Sequence, residues 1–219
     1  MVTNDQGIRY VNVNTETVAG LDHVKQLRLV HSGLVDVIKT HLLNDASIIF
    51  EPHLSLRGRS FALFHHPVCN EVFIFYCLQE TEAEVAAMTL LDYARSDRLQ
   101  DNWMVHVLTN EAKNPITMPH IEVAKDIVRR KVMVGITEIL EKSLIRFEKY
   151  FGWWETVSTD TNILRCQKNH LTRINNSYFE YIMVDSGSEE YDEIARRNWA
   201  DIQLYHYAKK LFLEQSVLV

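Results

Sequence analysis

The order of apolar runs along the chain predicts an α/β fold, an open parallel sheet with helices on both faces. Three short runs rich in β-branched and aromatic residues, VDVIK (Val35–Lys39), SFALFH (Ser60–His65) and VMVGI (Val132–Ile136), suit strands buried on both sides. The stretches between them repeat their apolar residues at helical spacing, which is the alternation that makes parallel pairing possible. The 219 residues are 47% hydrophobic and include only four prolines and seven glycines, so no linker is marked. A single domain over residues 1–219 is expected.

Leu21–Val30 reads as a helix, followed by the VDVIK strand, a helix over Leu43–Phe50, the strand SFALFH and a helix over Val68–Gln79. Two further short helices are expected over Glu82–Ser96 and Asn102–Thr109. Another spans Met118–Arg130, with Ile121, Ala124 and Val128 on one face. After VMVGI, Thr137 is placed to cap a helix over Glu138–Phe151, with Glu138 and Glu141 in its first turn, Arg146 and Lys149 near its end and Gly152 just beyond. Ser186 and Glu189 have the spacing of a capping box, opening a closing helix over about Glu190–Glu214 that turns Trp199, Ile202, Tyr205 and Leu211 inward.

The formal net charge is −6, from 23 basic and 29 acidic residues, so no overall basic field marks a nucleic-acid binder. An anionic ligand has to be held locally. The three cysteines, Cys69, Cys77 and Cys166, form no Cys-x-x-Cys pair, which signals neither a zinc site nor a disulfide framework. The longest uninterrupted apolar run, Val72–Leu78, is far shorter than the ~20 residues of a membrane span. MVTNDQGIRY does not read as a signal peptide.

In an open parallel sheet, ligands sit at the carboxyl ends of the strands. That places His41, just past VDVIK, and His65 and His66, at the end of FALF, on one rim, either as site residues or as surface histidines. The turn that opens the helix after FALF has the shape of an anion site but holds no Arg, Lys, Ser or Gly. Arg129, Arg130 and Lys131 precede VMVGI, at the opposite rim, and read as a solvated helix end. Trp153 and Trp154 fit either a sugar-stacking pair or a cap over the core, and Asn175-Asn176-Ser177 is a glycosylation sequon.

FALFHHPVCNEVFIFYCLQ resembles the segment of carbohydrate-type sulfotransferases in which a strand ends in Arg, then His, Asp or Asn, then Pro-Val-x-Arg, with a Ser and an aromatic pair following. YVNVNTETVAGLDHVKQ, SGLVDVIKTHLLNDAS, MTLLDYARSDRLQDNWMVHVLTNE, EVAKDIVRRKVMVGITEILEKSLIRFEKYFGW and NWADIQLYHYAKKLFLEQ resemble the same group in collinear order, in particular the sulfotransferase-like proteins of microalgae. The resemblance implies a P-loop-NTPase-like sheet and transfer of a sulfuryl group from 3′-phosphoadenosine 5′-phosphosulfate (PAPS) to a carbohydrate hydroxyl, without a metal. It also implies a glycan acceptor and a Golgi location. The first strand and its Lys-x-Gly-Gly loop for the phosphosulfate are expected upstream of YVNVN, so the domain is expected to be truncated at its N-terminus, with an apolar sheet edge or face left exposed.

Position by position, the resemblance makes His41 the catalytic base and puts His65 where the family holds the donor's 3′-phosphate with Arg. Asn70 and Phe73 fall on the second Arg and the Ser, and His106 on a further Arg. Guanidinium forks give way to an imidazole that is mostly neutral at pH 7, an amide and a phenyl ring. An active enzyme and an inactive relative that binds a glycan or a protein both fit this pattern. A hydrolase or kinase of unrelated mechanism has no motif in its favour.

Overall fold

The computed structural model describes residues 2–3, 9–32, 35, 38–40, 42, 45–49, 60–111, 114–152 and 184–218. They fall into two compact units, one of residues 1–59 with 110–112, the other of residues 60–109 with 113–219.

In the smaller unit, β1 (Val2–Thr3) and β2 (Arg9–Tyr10) pair antiparallel, followed by α1 (Val18–Gln26), α2 (Leu29–Ser32) and a 3-10 turn over Asp45–Ile49. Thr17 caps α1 by accepting from the Gly20 N–H at 3.1 Å. A Cβ on Gly20 would lie 1.6 Å from the Asn14 carbonyl oxygen, so the chain can make this entry only with glycine there. Leu21, Val24, Leu29 and Ile49 form its buried core. Of the expected VDVIK strand, the described residues, 35, 38 and 39, are not in a ladder, and 36 and 37 lie outside the described residues. Side chains bond this stretch instead, with Thr15 Oγ1 donating to the Lys39 carbonyl and Thr40 Oγ1 donating to the Thr15 carbonyl at 2.7 Å. Of the expected helix over Leu43–Phe50, the described residues, Asp45–Ile49, form a 3-10 turn.

The larger unit holds a parallel strand pair, β3 (Ser60–Phe64) and β4 (Val132–Ile136), in register from Ser60 opposite Val132 to Phe64 opposite Ile136. This is the α/β arrangement expected of FALFH and VMVGI. Between the strands run α3 (Pro67–Thr81), α4 (Ala83–Ala86), α5 (Leu90–Arg95), α6 (Trp103–Thr109) and α7 (Met118–Lys131); after them come α8 (Leu140–Phe151), α9 (Glu189–Arg197) and α10 (Trp199–Glu214). On one face of the pair, Phe64, Val134 and Ile136 pack with Ile121, Ala124 and Val128 of α7 and Leu204, Ala208 and Leu211 of α10. On the other lies α8. A Cβ on Gly135 would meet Phe147 Cζ at 2.6 Å and Leu63 Cδ2 at 2.8 Å, so glycine sets how closely α8 approaches. Phe61 meets Phe147 with its ring tilted and Phe151 edge-on from the same side, yet Phe61 and Leu63 keep 38% and 44% of their surface exposed.

The outer edge of β4 is closed by side chains. Gln215 accepts from the Val134 N–H at 2.9 Å and donates to the Val132 carbonyl at 2.8 Å, while Ser143 Oγ bonds both backbone groups of Ile136. A second core joins Val68, Val72 and Phe75 of α3 to Tyr93, Leu99 and Ile194. The expected closing helix is broken into α9 and α10 at Asn198. Its side chain accepts from the Asn102 N–H at 3.1 Å, and Asn102 Oδ1 in turn accepts from Ala200 N–H at 2.8 Å. The cap moves as well: Ser188, not Ser186, accepts from the Tyr191 N–H. Thr137 belongs to a 3-10 turn that precedes α8 rather than capping it, whereas Gly152 closes α8 in the left-handed conformation as expected, with φ 66°.

Candidate functional site

The register of the strand pair sends the chain out of the sheet side by side at His65 and Thr137. Thr137 Oγ1 donates to the Phe64 carbonyl at 3.2 Å, tying the two strand ends together, and lies 3.3 Å from Glu138 Oε2. Pro67 then starts α3 at once, because its fixed φ and missing N–H suit the first helical position. His66 is the N-cap residue, and its side chain makes no cap bond.

Tyr205 of α10 reaches the same rim and hydrogen-bonds Glu138; burial and that carboxylate both push its hydroxyl's ionisation upward, so it stays a donor. The His66 ring stands edge-on to Tyr205 with centroids 5.2 Å apart and stacks with Tyr191 at 6.4 Å. Lys209 Nζ sits 5.4 Å from the centre of the Tyr205 ring. Cys69, in the first turn of α3, is half-buried, and burial pushes its thiol up, with Glu138 adding to the effect.

Both imidazoles are held below the ordinary histidine range. Burial is the main cause at His65, opposed by Glu138 and assisted by His66. At His66 burial again leads, Glu138 opposes it, and His206 and Lys209 assist. Neutral rings at pH 7 follow. Among the described residues, His66 Nδ1 is a buried side-chain nitrogen without a hydrogen-bond partner. The rim therefore combines neutral nitrogen, a carboxylate, a phenol and a thiol, a set suited to exchanging protons with a hydroxyl ligand. No group of three or more His, Cys, Asp or Glu among the described residues could hold a metal ion. No described helix is long and apolar enough to cross a membrane.

Of the residues singled out from sequence, the structure places His65 on this rim. His41, Trp153, Trp154, Cys166 and Asn175–Ser177 lie outside the described residues. Asn70 is half-buried on α3, and Phe73 is 50% exposed there. His106 ends on α6, close enough to favour the charged form of Asp201. Arg129 and Arg130 both pair with Asp126, at 2.6 and 2.8 Å, which is the solvated helix end expected of them. Sequence reasoning missed Glu138 and Tyr205 as rim residues. Glu138 directly follows VMVGI and Thr137, the same relation to a strand that singled out His65, but it reads equally as a first-turn acid of a helix. Tyr205 arrives from far along the chain and left no local signal.

No family model matches the chain, and neither a curated protein nor a solved structure matches it.

Proposed function

We propose that the chain is a sulfotransferase-family protein with a P-loop-NTPase-like sheet, built to pass a sulfuryl group from PAPS to a carbohydrate hydroxyl, in which the position for the donor's 3′-phosphate has lost its charge. The observation that carries this reading is β3 running through His65-His66-Pro67 directly into α3, beside the carboxyl end of a parallel neighbour. That is where such sheets bind ligands, and it is the segment that carries the family resemblance. In the reaction, the acceptor oxygen bonds to sulfur as the bond between sulfur and the bridging phosphate oxygen breaks, and the acceptor's proton passes to a base. His41 is the base that the resemblance supplies. The acceptor is a glycan, the resemblance points to the Golgi, and no nucleic acid is part of the reading.

A second reading, an inactive relative that binds a glycan or protein partner, is favoured by the state of His65. An imidazole held neutral by burial gives a phosphate no charge, and Phe73 gives it no donor. Calorimetric titration with adenosine 3′,5′-bisphosphate tests both. The unmodified chain shows no measurable binding, and His65→Arg with Phe73→Ser restores it, because two added bonds to phosphate, of which the guanidinium's is charge-assisted and worth about 1.5–3 kcal/mol, together give roughly two decades in affinity. Micromolar binding by the unmodified chain would mean that the donor site is intact and would remove the inactive reading. A folded double variant that gains nothing would overturn the sulfotransferase reading.

A further inference from the structure

We infer that Glu138 is the specificity-determining residue of the carboxyl edge: held by Tyr205 beside Thr137 where β4 ends, it turns away phosphate-like dianions and accepts hydrogen bonds from ligand hydroxyls. The inference rests on the reading of this edge as the ligand site. The register carries it. Phe64 opposite Ile136 brings residue 65 and residue 137 out of the sheet together, so the carboxylate of residue 138 stands next to the turn that opens α3.

Three features tie that carboxylate to the edge. Thr137 Oγ1 lies 3.3 Å from Glu138 Oε2 while also donating to the Phe64 carbonyl, which sets the exposed Glu138 side chain beside the end of β3. Tyr205 bonds it from α10, and Tyr205 is itself packed against His66 at 5.2 Å and lies 2% exposed. Glu138 also acts on His65, His66 and Cys69, so its negative charge is felt in the turn that opens α3.

A dianion entering the N-terminus of α3 would meet this carboxylate without a charged imidazole to offset it. Lys209, which with His206 disfavours the charged form of His66, lies across the Tyr205 ring. A neutral polyol meets the opposite situation. Its hydroxyls find carboxylate and imidazole acceptors, with the half-buried Tyr191 ring, stacked on His66, as an apolar neighbour. The edge accordingly selects an uncharged, hydroxyl-rich ligand over a phosphorylated one.

The test uses the full chain with His65→Arg as background, so that an anion has one anchor, and inorganic phosphate and adenosine 3′,5′-bisphosphate as probes. Adding Glu138→Gln, which is nearly isosteric, should raise the affinity for both anions by about tenfold. Tyr205→Phe, which frees the carboxylate without removing it, should give a smaller gain. Proton NMR of the imidazoles supplies a readout that needs no ligand: Glu138→Gln should move the midpoints of His65 and His66 downward, since the carboxylate holds both up against burial. Unchanged anion affinity in a Glu138→Gln protein whose imidazole midpoints have moved would overturn the inference. A gain in phosphate affinity from Glu138→Gln, in a molecule where His65→Arg with Phe73→Ser gains no nucleotide, would uphold it while rejecting the sulfotransferase reading.

Discussion

Glu71 is the residue where the interior chemistry is most exposed to experiment. It is 6% exposed on α3, and burial pushes its carboxyl up to about 7, with Asp201 and Asp101 adding to the rise and the Tyr93 hydroxyl, 3.3 Å away, and Arg197 opposing it. A carboxyl raised above its unfolded value costs the fold as it ionises. Stability is therefore full below about pH 4.5 as far as this group is concerned, and falls as pH rises through about 7, by at most on the order of 3 kcal/mol. Asp201, raised to about 6 by burial, acts in the same direction. Glu71→Gln keeps an acceptor for Tyr93 and removes the charge, so urea midpoints at about pH 8 should rise and their decline between pH 5 and 8 should flatten. Sequence gave no hint of this pair, since both members fall in apolar helical stretches where their burial depends on α9 and α10. His65 was legible for the opposite reason: it directly follows a strand, and the end of a parallel strand is a special place whatever packs nearby.

At the scale of elements, Asp201 and Gln215 show side chains completing what backbone leaves open. Asp201 accepts from the Met104 and Val105 N–H groups at 2.8 and 2.9 Å and so caps α6 from α10. Asp201→Ala strips a buried donor, Val105 N–H, and a half-buried one, Met104 N–H, of their partner and should cost about 1–3 kcal/mol in chemical denaturation. Gln215→Ala unseals the β4 edge, and the Val134 amide should then lose protection in hydrogen exchange while the amides of α9 do not. FALFH, VMVGI, α3, α7 and α8 were readable because each carries its own period and its own stop, such as Gly152 after α8. The break at Asn198 was not, because an asparagine inside a helical pattern is neutral until the partner it bonds, Asn102, is known to lie beside it. The described part of VDVIK lies outside any ladder for a related reason. Its apolar pattern was right, but Lys39 and Thr40 are bonded by Thr15 rather than by a neighbouring strand.

For the molecule as a whole, the two units differ in the buried cores seen among the described residues. The smaller rests on Leu21, Val24, Leu29 and Ile49, whereas the larger has two cores built around the strand pair and around α3. Backbone amides of α1 should accordingly exchange earlier than those of α7 and α10 in native-state hydrogen exchange, since local stability follows buried apolar contact. The carboxyl edge of the larger unit is the ligand position we propose, one deprived of positive charge by its residues. The titration midpoints of His65 and His66, read by NMR in the full chain without ligand, test that claim most directly. Midpoints below the ordinary value of 6.5 at both rings, giving neutral imidazoles at pH 7, are what the burial of this edge predicts. A midpoint above about 7 at His65 would contradict it, because a protonated ring there would supply the charge that the turn otherwise lacks.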